Sequence, residues 1–128
     1  MAAVDDESER SILRDPVILL GSIVGALATA HCLFAGPYLP FIDWPNHLAS
    51  ISVLAHGEDS GALTYFERDL LPRPYLLFYA LSALGAQVLS IEVSAKLCLV
   101  LASALMTLGA GSLAKACGRS PRLALIAP

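Results

Sequence analysis

The residues of this chain that could do chemistry are concentrated in one stretch, residues 38–51. Within it, Asp43, Trp44, Asn46 and His47 bring together a carboxylate, an indole, an amide and an imidazole. Asp43 and His47 are four residues apart, so on a helix they project to one face. Such a pair could share a proton, with the carboxylate orienting the imidazole, or it could hold a divalent cation. Asp43 alone could act as a general base on an acceptor hydroxyl, or as a metal ligand.

Both side chains also have a structural explanation. Asp43 precedes Trp44 and Pro45, and an aspartate before such a sequence is typical of a helix start, where it caps free backbone N–H groups. His47 could simply hydrogen-bond to a lipid phosphate. Spacing alone favours this structural explanation over a catalytic one.

The composition points to a membrane protein. Hydrophobic residues make up 56% of the 128-residue chain and charged residues only 15%, whereas soluble domains carry about 25% charged residues. The net charge of -3 provides no basic surface for nucleic acid. The three cysteines are widely spaced, so they indicate neither a disulfide framework nor a zinc site.

The first apolar run follows a polar tail, residues 1–15, and covers residues 17–36 without a charged side chain. A helix needs about 20 residues to cross a membrane, so this run predicts a first span beginning at Asp15-Pro16. A signal peptide is the alternative, because Ala28-Thr29-Ala30 matches a cleavage site. An uncleaved helix is favoured, because acids outnumber bases in the tail and the apolar run continues past residue 30.

The second apolar run, residues 75–116, is interrupted only by Glu92 and Lys96. As one helix it would be about 60 Å long, twice the thickness of a bilayer core. We therefore predict a hairpin of two spans, about 75–90 and 93–116, with Glu92 and Lys96 forming a helical ion pair at the turn. Small residues spaced by four predict a packing face on the second of these spans; they are Ser103, Thr107 and Gly111.

The segment between the apolar runs, residues 37–74, is predicted to be one long loop outside the membrane. Apolar residues recur at helical spacing over residues 45–56, too few to span, so we expect a short helix lying along the membrane surface. The flanking aromatic residues fit the membrane interface; they are Tyr38, Phe41 and Trp44. The predicted fold is thus all-α, a polytopic membrane protein with about three spans. A further apolar run starts near Pro121, which predicts a fourth span and an N-terminal piece of a longer protein.

The order of these features resembles a known class of membrane protein. A span, then Asp43-Trp-Pro-Asn-His47-Leu-Ala49, then a Pro-rich lead into a helical hairpin is similar to the N-termini of certain bacterial multi-spanning proteins. Those proteins are in turn similar to the C-type glycosyltransferases, which use polyprenyl-phosphate sugars. The resemblance implies a first loop on the non-cytoplasmic side, with Asp43 as its catalytic or metal-binding acid. His47 has no fixed counterpart, and the second, adjacent acid of many members is missing here.

The sequence therefore leads to two hypotheses. In one, the chain is part of a glycosyltransferase of the bacterial inner membrane, with Asp43 as base or divalent-cation ligand and His47 placing a phosphate or acceptor. In the other, it is a non-catalytic transporter subunit or assembly component whose loop is an interfacial lid. For three spans the charge distribution favours the opposite orientation. The resemblance places loop 37–74 outside, and we adopt that placement.

Overall fold

A computed structural model describes residues 15–36, 39, 41–66 and 75–126 of the chain. Four α-helices account for most of them: α1 (Pro16–Phe34), α2 (Trp44–His56), α3 (Leu76–Gly85) and α4 (Ile91–Ala116). Two short 3-10 helices cover Ala62–Thr64 and Pro121–Leu125. No strand occurs in these ranges, which confirms the all-α class. The polar tail before Asp15, Tyr38 and the Pro-rich segment 67–74 lie outside the described residues.

Helix α1 begins as its sequence predicts. The Asp15 carboxylate accepts a hydrogen bond from the Val17 backbone N–H at 2.9 Å, and the Asp15 carbonyl accepts one from the Leu19 N–H at 3.1 Å. Pro16 occupies the first helical position, where its missing N–H costs nothing. The side chain of Asp15 therefore satisfies a backbone donor that the helix itself leaves unpaired.

Helices α1 and α4 are both long and apolar enough to cross a membrane. Only 11% of the most apolar window of α1, and 6% of that of α4, is buried inside the protein. The apolar core helix of a water-soluble domain would instead be mostly covered by other parts of the chain. Their exposed large side chains include Leu20, Leu27, Leu105, Met106 and Leu113. These two helices support membrane association.

Helix α3 is shorter than the predicted span over residues 75–90. It has 10 residues, which at about 1.5 Å per residue is half of a bilayer core of about 30 Å. Residues 86–89 form a turn, and Ser90 then starts α4 by accepting a hydrogen bond from the Val93 N–H at 3.3 Å. Glu92 and Lys96 consequently lie inside α4 and not at the turn. Their ion pair, 2.8 Å between Glu92 Oε1 and Lys96 Nζ, is confirmed.

The chain divides into two compact units, and the first contains residues 1–29 and 101–128. Within it, the hydroxyl of Ser103 on α4 donates to the hydroxyl of Thr29 on α1 at 3.4 Å. Ser103 and Thr107 are half-buried and Gly111 is buried. The small residues spaced by four thus form a packing face, as predicted.

The 3-10 helix Pro121–Leu125 also packs on α1 within this unit. The Leu125 side chain lies directly over Gly21, where the absence of a Cβ gives it room to approach α1 closely. Arg122 Nε donates to the Asp15 carboxylate at 3.2 Å. The apolar run predicted to start a fourth span therefore begins as a short helix held against the start of α1.

The second unit contains residues 30–100 and is built around the packing of α2 on α3. Its buried apolar residues are Leu39, Trp44, Ile51, Ala83 and Ala95. The expected short helix in the loop is present as α2. However, Trp44 is only 2% exposed, so it is a core residue and not the interfacial anchor that the sequence predicted.

Candidate functional site

Helix α2 carries both residues that the sequence singled out. Asp43 occupies the N-cap position, and the backbone N–H of His47 donates to the Asp43 carbonyl at 3.0 Å. The two residues are therefore one helical turn apart, as expected. They lie at the N-terminal end of α2, on either side of the buried Trp44 in the sequence.

The Asp43 carboxylate is exposed and has no partner among the described residues. It makes no capping hydrogen bond to α2, and in the described part of the chain it forms no other hydrogen bond or ion pair. Asp15, by contrast, uses its carboxylate to cap α1. The capping explanation therefore applies to Asp15 and not to Asp43. The carboxylate of Asp43 is left available for a proton, a cation or a hydroxyl group.

His47 has a different partner from the one predicted. Its Nδ1 lies 2.8 Å from the hydroxyl oxygen of Tyr79 on α3, and the Asp43 carboxylate is not its partner. The expected proton-sharing pair of Asp43 and His47 is thus absent from this structure. A hydrogen bond to a half-buried tyrosine holds the imidazole more firmly than an exposed carboxylate at the end of a helix would, because packing fixes both rings.

Three aromatic rings of the segment 75–79 surround this imidazole. The ring centroid of His47 lies 5.5 Å from that of Tyr75, 6.1 Å from that of Phe78 and 5.7 Å from that of Tyr79. The rings of Tyr75 and Phe78 meet the imidazole edge to face, an arrangement that aromatic pairs favour. We call these four residues, His47, Tyr75, Phe78 and Tyr79, the aromatic cluster.

Tyr75 adopts a strained backbone conformation at the edge of the aromatic cluster. Its φ is +68°, in the left-handed region, and it immediately precedes α3. A bulky residue rarely adopts this conformation, which costs on the order of 1–3 kcal/mol and is found disproportionately at functional sites. The residue with this strained backbone is thus also one of the residues whose ring contacts His47.

Sequence reasoning did not identify the aromatic residues of the segment 75–79 as site residues. Tyr75, Phe78 and Tyr79 are spaced i, i+3 and i+4, a spacing that on a helix would place them on one face. That spacing could have indicated an aromatic cluster. The segment also resembles the start of a membrane span, however, and aromatic residues are common there at the membrane interface.

The metal-binding role predicted for Asp43 would need further ligands. No group of three or more histidine, cysteine or acidic side chains that could hold a metal ion occurs in the described ranges. Calcium requires six or more oxygen ligands, which Asp43 cannot organise alone. Magnesium is commonly bound through one or two carboxylates together with substrate phosphates, and this is the form of metal binding that a single exposed carboxylate could serve.

No family model, curated protein or solved structure matches this chain. Its function must therefore be argued from the residues of the site and from their surroundings.

Proposed function

We propose that this chain is the N-terminal, membrane-embedded part of a glycosyltransferase-like enzyme that takes its sugar from a polyprenyl phosphate. The observation that supports this most strongly is the exposed Asp43 carboxylate. It makes no capping hydrogen bond to α2, and it forms no ion pair with any of the described residues. The aromatic cluster beside it provides flat apolar surfaces and a fixed imidazole. An acid next to aromatic surfaces suits a substrate that combines hydroxyl groups with a lipid-linked phosphate.

In the proposed reaction, Asp43 accepts the proton of the acceptor hydroxyl. The acceptor oxygen then bonds to the anomeric carbon of the sugar, and the bond from that carbon to the polyprenyl phosphate breaks. The phosphate leaves with the electron pair, and its developing charge is met by an N–H of His47. General-base assistance of this kind typically contributes about 10²–10⁴-fold in rate. Where a divalent cation takes part, Asp43 would hold it against the phosphate.

We further propose two membrane crossings, by α1 and α4, in place of the three predicted from hydropathy. Within the first unit, Asp15 before α1 contacts Arg122 after α4 at 3.2 Å. Two groups in contact lie on the same side of the membrane, so the chain crosses an even number of times between them. A third crossing by α3 would make that number odd.

The second unit leads to the same conclusion through a separate contact. Lys96 Nζ, near the start of α4, donates to the carbonyl of Gly36, which follows α1, at 2.9 Å. Between Gly36 and Lys96 the only other described apolar helix is α3, which is too short to cross. The whole segment 37–90, including Asp43 and the aromatic cluster, would then lie on one side.

Two crossings also remove the conflict with the positive-inside rule. With the N-terminal tail in the cytoplasm, most basic residues outside the helix interiors fall on the cytoplasmic side; they are Arg10, Arg14, Lys115, Arg119 and Arg122. Three basic residues fall on the outer side: Arg68 and Arg73 in the loop, and Lys96 near the start of α4. This is the distribution that the positive-inside rule requires. We accordingly place the loop 37–74 on the non-cytoplasmic side of a bacterial inner membrane.

Sided cysteine labelling tests the number of crossings. Single cysteines replace Ser60, Val88 or Arg119, all exposed, in a chain whose native cysteines are changed to alanine. With two crossings, an impermeant maleimide added outside labels positions 60 and 88 but not 119. With three crossings it labels 60 and 119 but not 88, and that pattern would refute the two-crossing arrangement.

Substitution of Asp43 tests the catalytic role. In membranes that contain the protein expressed from its complete reading frame, Asp43→Asn should abolish sugar transfer from a polyprenyl-phosphate donor. Asp59→Asn, an exposed acid in the turn that follows α2, is the matched control and should keep wild-type turnover. Wild-type turnover in Asp43→Asn would remove the basis for the catalytic proposal.

A non-catalytic membrane protein with a lid is the second candidate. The hydrogen bond between His47 and Tyr79 favours this candidate, because a rigid lid also requires a well-packed contact between α2 and α3. A lid predicts that Asp43→Asn and Asp43→Ala are both silent, whereas Trp44→Ala, which opens the core, abolishes function.

A further inference from the structure

The imidazole of His47 has one nitrogen committed inside the protein. Nδ1 lies 2.8 Å from Tyr79 Oη, the usual distance for a short O–H···N or N–H···O hydrogen bond. Nε2 has no protein partner in the described part of the chain. The chemistry that His47 can offer to a ligand is therefore the chemistry of Nε2, and it depends on which nitrogen carries the proton.

The direction of this hydrogen bond follows from the surroundings of Tyr79. A tyrosine hydroxyl has one proton to donate, and His47 Nδ1 is the only protein acceptor that it reaches among the described residues. Tyr79 is half-buried, so a hydroxyl proton pointed away from His47 would lose hydrogen-bonding free energy. The hydroxyl therefore donates to Nδ1. In a neutral imidazole whose Nδ1 accepts, Nε2 must carry the hydrogen.

We infer that Tyr79 is a positioning residue that fixes His47 as an Nε2–H donor for a phosphate oxygen. Tyr79 sets the tautomer, while the rings of Tyr75 and Phe78 hold the plane of the imidazole. The identity of the ligand rests on the proposed function, in which the leaving group is a polyprenyl phosphate. The assignment of the tautomer rests only on the contacts of His47 and stands apart from that function.

The test of the tautomer uses nitrogen NMR of the protein in lipid nanodiscs, labelled with ¹⁵N-histidine. The His47 signals are identified by their loss in His47→Gln and are read at alkaline pH. Wild-type protein should show His47 as the Nε2–H tautomer. Tyr79→Phe keeps the ring and its packing but removes the hydroxyl, so it should give a mixture of both tautomers. Tyr65→Phe, an exposed tyrosine outside the aromatic cluster, should leave the spectrum unchanged.

Sugar transfer provides the second measurement. Tyr79→Phe should raise the KM for the polyprenyl-phosphate donor about twofold while leaving the acceptor KM unchanged, because only the fraction of His47 in the Nε2–H form can donate to the phosphate. Tyr65→Phe should leave both KM values at wild type.

The Tyr79 assignment is overturned if wild-type His47 is the Nδ1–H tautomer, or if Tyr79→Phe leaves the tautomer unaltered. A wild-type Nδ1–H signal overturns the assignment even if the variant fails to fold. A wild-type protein that shows the Nε2–H tautomer lost in Tyr79→Phe, but transfers no sugar, supports the positioning role and refutes the proposed function.

Discussion

The ammonium group of Lys96 donates a hydrogen bond to the carbonyl oxygen of Gly36 at 2.9 Å, across 60 residues of sequence. Lys96 is only 3% exposed, and its charge is balanced by the Glu92 carboxylate at 2.8 Å and by the face of the Phe34 ring at 5.4 Å. Carbonyl groups at the end of a helix lack intrahelical donors, and a cation placed there also interacts favourably with the helix dipole. One side chain thus links the start of α4 to the residues that follow α1.

Removing the Glu92 carboxylate alone should therefore destabilise the second unit more than removing the charges of both Glu92 and Lys96. Glu92→Gln removes the carboxylate charge that balances the buried Lys96 ammonium and should cost about 1–3 kcal/mol. The double change Glu92→Gln with Lys96→Met replaces the pair by groups of similar size and should recover part of that loss. Thermal unfolding in detergent, followed by helix content, measures both variants. A double variant less stable than Glu92→Gln alone would contradict this account of Lys96.

Gly85 should not tolerate a methyl group, because of its contact with Ser94. A Cβ at position 85 would overlap Ser94 Oγ, which donates a buried hydrogen bond to the Ser82 carbonyl at 2.7 Å. We expect Gly85→Ala to cost about 1–3 kcal/mol as an overpacking substitution. Ser94→Ala alone should cost about 1 kcal/mol for the lost hydrogen bond.

The double variant Gly85→Ala with Ser94→Ala tests the cause, since removing Oγ removes the overlap. Its cost should be well below the sum of the two single costs, which is the signature of residues in contact. The matched control is Gly109→Ala in α4, where an added Cβ meets no atom within 4 Å. That change should stabilise the helix by up to about 1 kcal/mol. Additive costs at positions 85 and 94 would exclude the proposed overlap.

Trp44 should behave as a core residue in solution. It is the only tryptophan in this chain and is 2% exposed, and its indole N–H has no hydrogen-bond partner in the described structure. Trp44→Phe therefore removes an unsatisfied donor together with some buried surface and should change stability by less than about 1 kcal/mol. Trp44→Ala should cost about 3–5 kcal/mol. The fluorescence of Trp44 is identified as the emission that is lost in Trp44→Phe. Iodide should not quench this emission, whereas it would quench an indole at the membrane interface.

The features that the sequence predicted correctly depend on interactions between residues close together in the sequence. The start of α1 at Asp15-Pro16, the helix predicted over residues 45–56 and observed as α2, and the pairing of Glu92 with Lys96 all involve residues within four positions of each other. Run length and charge content were also sufficient to identify α1 and α4 as candidate spans.

The features that it missed depend on long-range contacts. The partner of His47 is 32 residues away on α3, and the burial of Trp44 depends on residues from other elements. The length of α3 was overestimated because residues 86–90 are apolar enough to continue a span, although their backbone forms a turn. Hydropathy measures the solvent preference of side chains and carries little information about where a backbone turns.

The two N-cap aspartates of this chain should respond differently to alanine. Asp15 accepts the Val17 N–H and the Arg122 guanidinium, whereas Asp43 makes no capping bond although it holds the same position at the start of α2. Asp15→Ala should therefore lower the melting temperature, because it leaves an N–H at the start of α1 without its acceptor. Asp43→Ala should change stability by less than about 0.5 kcal/mol, as expected for an exposed side chain with no partner among the described residues. Thermal unfolding of the two variants under one condition decides the matter. An Asp43→Ala variant that melts as early as Asp15→Ala would show that the Asp43 carboxylate is a helix cap, and it would remove the main support for a catalytic role.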